Sequence, residues 1–251
     1  METKKLLITG AASGIGRAAA QWADTHGGYL LILVDRDERG LNALAKELKS
    51  DSMPISGDVA SEDFWGSDIL VENIKSLHAA AFCAGVSDAA PISEMHFDSW
   101  RRIMAINLDG MFLAFRACLP AMVEGGAIVA VSSATARKTV AGTAAYGASK
   151  AGLEQLMRVA AIEAVSRGIT VNAIAPGGVK TPMFSSQDWF RSLVIEKGSE
   201  EGAWEAVAAL TPTGRFSTPE EVADLIGFLF GSAARNITGT VLACDGGYTA
   251  E

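Results

Sequence analysis

Seven short, β-prone apolar runs separated by longer stretches of helical character constrain this chain more than any other feature. The runs are KKLLIT, YLLILVD, MPIS, LHAAAFC, AIVAVSS, ITVNAIAP and GTVLACD. Such alternation is the pattern of a parallel sheet whose strands are joined by crossover helices. Helices are expected at about 14–26, 38–49, 61–75, 97–123, 144–166 and 219–232. No repeat, low-complexity linker or shift in composition divides the sequence, so 1–251 reads as a single α/β domain, doubly wound, with a seven-stranded parallel sheet and helices on both faces. One segment breaks the rhythm, TPMFSSQDWFRSLVIEKGSEEGAWEAVAALTPTGRFS at about 181–217. An insertion at the strand ends of such a sheet covers a ligand crevice. Its Met183, Phe184, Trp189, Phe190 and Trp204 suggest an apolar lid over a substrate, or packing against the core or a neighbouring subunit.

With 251 residues, 49% of them hydrophobic, the chain can bury a substantial core. A formal net charge of −8 without any Lys/Arg cluster argues against a nucleic-acid partner. Cys83, Cys118 and Cys244 show neither metal spacing nor a disulfide framework and read as reduced thiols. His26, His78 and His96 are scattered, and no metal is assigned. Glycine interrupts the start, METKKLLITGAASG, before a signal-peptide apolar region, and no run is read as approaching the roughly 18 apolar residues of a membrane span. A cytoplasmic protein with no membrane partner is expected.

The first run leads into TGAASGIG. Glycines at 10, 14 and 16 permit a tight strand-to-helix turn and let a pyrophosphate approach main-chain N–H groups at a helix N-terminus. The turn predicts a Rossmann-type dinucleotide site with Gly10, Ser13, Gly14, Ile15 and Gly16 at its floor. Asp35 follows Gly16 by nineteen residues, at the end of the second run, where its carboxylate can accept the adenosine ribose hydroxyls. It favours NAD, because it repels a 2′-phosphate, although the adjoining Arg36 partly offsets that repulsion.

Farther along, YGASK sits in an Ala-, Leu- and Glu-rich stretch without proline, read as a helix. Residues i and i+4 share a face, so Tyr146 and Lys150 point the same way past three small residues. With TGAASGIG and YGASK together, the chain resembles the short-chain dehydrogenase/reductase family in its compact form, over essentially its whole length. The resemblance implies a catalytic serine thirteen residues before the tyrosine, which falls on Ser133, and an asparagine that matches Asn107 in IMAINLDG. It also implies cofactor contacts from Asp58 and Val59 in GDV, from Cys83, Ala84 and Gly85 in FCAG, and from Pro176, Gly177, Val179 and Thr181 in APGGVKTPM. The family carries Asn-Asn-Ala-Gly where this chain has Phe82 and Cys83, so the side-chain amides that brace the central strands are missing, while a main-chain carbonyl there can still meet the ribose. A homotetramer is implied as well, and the apolar closing segment EEVADLIGFLFGSAA with TGTVLACDGGY gives it a physical motive.

Hydride transfer at an alcohol carbon requires a proton to leave or join the oxygen, so a general acid/base must touch that oxygen. Tyr146 fits this role. A free phenol titrates near ~10, and a nearby cation, here Lys150, favours the phenolate. Ser133 would orient the reacting oxygen, Asn107 would hold a water that relays protons to Lys150, and Tyr146 and Lys150 would also contact the cofactor. The leading expectation is an NAD-dependent oxidoreductase acting on a small-molecule secondary alcohol or ketone. Its rivals are an NADP-dependent ketone or ketoacyl reductase, which Asp35 and Glu124 oppose, and a dinucleotide-binding regulatory protein that has lost catalysis.

Overall fold

A sheet covered on both faces explains why the apolar runs are nearly continuous. The computed structural model describes residues 3–26 and 28–250; the expected domain limits Met1 and Glu251 lie outside the described residues. Strands β1 (Lys4–Thr9), β2 (Tyr29–Asp35), β3 (Ser52–Ser56), β4 (Leu77–Phe82), β5 (Met122–Val131), β6 (Thr170–Pro176) and β7 (Val241–Cys244) form one parallel sheet, in the order β3-β2-β1-β4-β5-β6-β7. Helices α1 (Gly14–His26), α2 (Glu38–Glu47), α3 (Glu62–Trp65), α4 (Asp68–Asn73), α5 (Phe97–Met104), α6 (Gly110–Ala121), α7 (Ala144–Ala164), α8 (Pro182–Ser185), α9 (Asp188–Lys197), α10 (Glu200–Ala208) and α11 (Pro219–Phe230) complete the fold.

Successive strand side chains enter two different cores, as the pleat requires. Leu6, Ile8, Leu31, Leu33, Val129 and Ile174 meet Ala19 and Ala23 of α1, Leu41 of α2 and Ile226 of α11. Leu7, Ile32, Val34, Phe82 and Ile128 meet Leu70 of α4, Phe115 of α6 and Leu153 and Met157 of α7. Each large side chain fully buried in this way contributes roughly 1.5–3 kcal/mol. The alanines of α1 let it approach the sheet closely, and α11 packs beside it so tightly that a Cβ on Gly227 would overlap the Trp22 ring at 2.0 Å.

Local chemistry redraws several expected boundaries. The helix expected at 61–75 is two short ones, because Gly66 and Ser67 interrupt it; Ser61 caps the first by accepting the Phe64 N–H. The helix expected at 97–123 stops at Ala121, one residue after Pro120, and holds a wide π turn, Ala105–Asp109. The following strand starts earlier than AIVAVSS, at Met122, and a register shift between Leu77 and Ala79 absorbs the extra residues. Contrary to the sequence reading, the 25-residue stretch Phe97–Ala121 is long and apolar enough to cross a bilayer by length and composition. In the fold, its Ile103, Met111, Ala114, Phe115 and Cys118 are buried inside the protein.

This topology positions the site. β1 is flanked by β2 and β4, so the chain leaves β1 toward one side and later returns to the other, opening a crevice at the carboxyl ends of β1 and β4.

Candidate active site

A cavity of about 670 Å³ occupies that crevice, running from the end of β2 past β1 and β4 to the lid helices α8–α10. At one end the floor is bare backbone. Gly10 and Gly14 have φ of +69° and +52°, a region that L side chains seldom enter, and a Cβ on Gly10 would lie 2.8 Å from the Ala84 nitrogen. A Cβ on Gly14 would press on Thr181, so the lid's first residue overhangs the glycine turn. Peptide N–H groups and a helix start under open space fit a pyrophosphate, and Ser13, Ile15 and Gly16 line the same floor.

Asp35 is fixed before any ligand arrives. Its Oδ2 accepts the Ala12 N–H at 3.1 Å and its Oδ1 the Asp37 N–H at 3.0 Å, so the carboxylate is tied between the glycine turn and the start of α2. Arg36 is exposed on the same wall. Asp58 lines the cavity while its Oδ1 accepts the Ala60 N–H at 2.9 Å, and Val59 beside it is buried. The Phe82–Cys83 segment is held from β1, where the Thr9 hydroxyl oxygen accepts the N–H groups of Cys83 (3.2 Å) and Ala84 (3.3 Å). Burial pushes the Cys83 thiol up to about 12, against the opposing pull of Lys150, so it is a neutral wall of the site. Pro176, Gly177, Val179 and Thr181 follow β6 and close the far side.

Ser133, Tyr146 and Lys150 line the middle of the cavity. Ser133 lies two residues past β5. Its Oγ accepts the Thr135 hydroxyl at 2.9 Å and the Thr135 N–H at 3.3 Å, which leaves its own hydrogen for the cleft. Loss of water pushes the phenol above its ordinary range, and the Ser133 hydrogen bond opposes the shift by favouring the phenolate. Lys150 Nζ donates to the Val131 carbonyl at 2.7 Å and stands 5.8 Å from the centre of the Tyr146 ring. Burial brings the ammonium down to about 8, with the nearby Cys83 thiol working in the other direction.

Asn107 lies one layer behind these groups and does not line the cavity. In the π turn, its Oδ1 accepts the Val86 N–H at 2.8 Å, and its Nδ2 donates to the Val86 carbonyl at 2.9 Å and to Ser149 Oγ at 3.1 Å. Both amide hydrogens are thus used on protein, and the side chain clamps the loop after β4 to α7. Any water held here meets the second lone pair of Oδ1 or the main chain. Gly85 keeps this corner open, for a Cβ there would lie 3.4 Å from both Asn107 Oδ1 and Lys150 Nζ.

Several contacts escaped the sequence reading. Buried Glu154 accepts the Ser132 hydroxyl at 3.0 Å and ion-pairs with Arg137 (3.4 Å) and Arg158 (3.2 Å), fixing the residue next to Ser133. Its signal was present, since 146, 150 and 154 continue one i, i+4 series. Gln187 Nε2 donates to the Ser87 carbonyl at 3.3 Å and the Met183 carbonyl at 3.2 Å, which ties the lid across the cleft. No local motif announces it. The lid aromatics divide: Phe190 and Trp204 are buried in a small core of their own, Phe184 and Phe216 pack against that core and also line the cavity, and Met183 and Trp189 line the cavity.

Three comparisons with known proteins find relatives over nearly the whole chain. A family model described as enoyl-(acyl carrier protein) reductase matches residues 10–249. The chain is 35% identical over 260 residues to cis-4-hydroxycyclohexanecarboxylate dehydrogenase of Sinomonas cyclohexanicum, covering 97% of this chain and 96% of that protein. It is 35% identical over 266 residues to D-threitol dehydrogenase of Mycolicibacterium smegmatis, covering 99% and 94%. Among solved structures, the ligand-free aldohexose dehydrogenase of Thermoplasma acidophilum superposes with a TM-score of 0.86 at 28% identity, covering 100% of this chain and 95% of that one.

Proposed function

Because the chain belongs to the short-chain dehydrogenase/reductase family, an oxidoreductase family that uses nicotinamide dinucleotides, we propose that it interconverts a secondary alcohol and its ketone with NAD(H), using Tyr146 as general acid/base. The observation that carries this reading is the convergence of Ser133, Tyr146 and Lys150 on one cavity whose other end is the glycine floor beside Asp35. The cofactor supplies the hydride acceptor or donor.

Everything else falls to the protein's own groups. The Tyr146 phenol, held protonated in a poorly hydrated wall, gives its proton to a ketone oxygen as the carbon is reduced, and in the oxidative direction takes the alcohol proton back. Thr135 occupies the Ser133 oxygen with two hydrogen bonds, so the Ser133 hydrogen is free to turn from Tyr146 to the substrate oxygen and stabilise charge there. Lys150 bridges the Val131 carbonyl and the region beside Gly85, where it can hold the nicotinamide ribose. Gly10, Gly14 and Gly16 would hold the pyrophosphate, Asp58 and Val59 the adenine, and Pro176, Gly177, Val179 and Thr181 the nicotinamide half.

NAD is the cofactor of this reading rather than NADP. The Asp35 carboxylate is fixed by two backbone N–H groups where the adenosine ribose would lie, and a fixed anion accepts ribose hydroxyls and repels a 2′-phosphate. The reading extends to a cytoplasmic homotetramer. Both alcohols named for the two relatives, a hydroxycyclohexanecarboxylate and threitol, carry secondary hydroxyl groups and support that reaction class. The test is steady-state oxidation of a panel of secondary alcohols with each dinucleotide, followed by absorbance of the reduced cofactor. Turnover with NAD at higher kcat/KM than with NADP is expected; a higher value with NADP would overturn the cofactor assignment, and no turnover with either would overturn the activity.

A further inference from the structure

The charges that line the cleft are confined to one end and its centre. Asp35, Arg36 and Asp58 lie at the dinucleotide end, and the one remaining charged lining residue among those described is Lys150, whose ammonium is buried and bonded to Val131. Beyond Tyr146 the wall is Val86, Val140, Met183, Phe184, Trp189 and Leu210. Of the polar groups that line this half, Gln187, Thr143 and Thr135 are engaged by protein, and Thr211 and Tyr248 stand beside them. Both N–H groups of Gln187 are given to the Ser87 and Met183 carbonyls. The Thr143 hydroxyl donates to the Val140 carbonyl at 2.8 Å, and that of Thr135 to Ser133. Lys138 stands behind the wall rather than in it: its ammonium donates to the Tyr248 carbonyl at 2.7 Å and lies 4.3 Å above the ring of Tyr248, which lines the cleft.

Trp189 gives this wall its shape. Its ring meets Phe184 edge-on at 5.0 Å and Phe190 at 5.8 Å, and those rings belong to the lid core with Trp204 and Phe216. Trp189 itself is 42% exposed and lines the cavity, so it offers a braced flat surface to whatever enters. A carboxylate carried against Val86, Val140 and Phe184 would exchange water for apolar surface with no ion-pair partner among the side chains that line this half, which is costly for an ion. A polyol would leave most hydroxyls unpaired for the same reason.

Building on the proposed alcohol/ketone chemistry, we infer that the substrate is uncharged and apolar beyond its reacting carbon, an alicyclic or aromatic ring lying against Trp189, and that the cleft discriminates against carboxylate-bearing and polyhydroxylated substrates. The specificity therefore differs from that named for the two relatives above. The hydride and proton steps are those already given; only the body of the substrate is specified.

A matched pair tests this. Cyclohexanone and 4-oxocyclohexanecarboxylate share a reacting carbonyl and differ in one anionic group. Reduction with NADH at neutral pH should give a kcat/KM for cyclohexanone at least about tenfold higher. Equal values, or preference for the carboxylate, would overturn the inference while leaving the proposed activity intact. Two variants sharpen it. Leu210→Arg places a cation at a rim position that is 74% exposed, and should raise the carboxylate-to-neutral ratio of kcat/KM by about tenfold. Trp189→Ala should raise KM for cyclohexanone several-fold more than KM for acetone; equal changes would remove Trp189 from the argument. If neither ketone is turned over, the activity proposal fails separately, and saturation-transfer NMR with the same two ketones still decides the inference. Transfer to cyclohexanone and none to the carboxylate supports it, and the reverse overturns it.

Discussion

The two halves of the cleft are made of different material. The dinucleotide half is main chain: a glycine turn with two positive φ angles, the N-terminus of α1, and strand-end residues held by backbone hydrogen bonds to Asp35 and Thr9. The substrate half is side chain: a lid of three helices whose aromatic residues pack first on one another and only then face the cavity. Main-chain geometry at the end of a parallel strand has few solutions, whereas an apolar wall has many. The first half is therefore fixed by the fold, and the second is free to differ between proteins that share it.

Tyr146 stands at the seam between them, so its loss gives the largest separation. In Tyr146→Phe the proton route is removed while the glycine floor and Asp35 are untouched. Turnover should fall by roughly 10²–10⁴-fold, the usual contribution of a positioned acid/base. Fluorescence titration should show NADH binding within a few-fold of the parent protein. Parallel loss of both would mean that the ring also holds the cofactor and that the halves are less independent than their construction implies.

A smaller effect is expected from Asp35→Ser, which acts on the main-chain half alone. The change removes an anion that accepts two backbone N–H groups, and with it both the proposed ribose contact and the repulsion of a 2′-phosphate. The NAD-to-NADP ratio of kcat/KM should fall by about tenfold to a hundredfold, the worth of one or two hydrogen bonds to a charged group. Relative rates on different alcohols should stay as they were. A reordering of alcohol preference would show that Asp35 acts through the lid.

The same contrast explains what was legible in the sequence. The seven strands, the glycine turn, the Asp35 position and the Tyr146–Lys150 pair rest on local rules, namely apolar β-prone runs, backbone angles open to glycine and a four-residue helical repeat, and local rules are written in consecutive residues. Contacts that join distant segments were less visible. Thr9 reaches Cys83 and Ala84 across the sheet, Gln187 reaches Ser87 across the cleft, and Asn107 turns its side chain onto Val86 because a π turn re-aims it. Lid residues could be named as aromatic but not sorted into Phe190 and Trp204 inside and Trp189 facing the cavity, because that sorting depends on three short helices packing together. Ser133 was visible as a partner of Tyr146, but its free hydrogen depends on Thr135, which no motif singled out.

The smallest effect concerns the charge at the seam, and it is read in stability. Burial brings Lys150 down to about 8 from an ordinary value of 10.5, so the folded protein holds this proton less tightly than the unfolded chain does. Between those two values the unfolded state binds more protons, and stability attributable to Lys150 must rise with pH. Below about pH 8 the full cost of the buried ammonium is felt, and above it the cost is progressively relieved. Lys150→Met removes the titration and also leaves the Val131 carbonyl without its donor, a pH-independent loss. The absolute stability of the variant is thus not the discriminating quantity; the slope of the difference is. Urea unfolding of both proteins at pH 7, 8 and 9 should show the parent gaining about 1 kcal/mol on the variant across that range. A constant difference would mean that the ammonium is solvated in the folded state, and that the seam between the two halves is wetter than Lys150, only 3% exposed, implies.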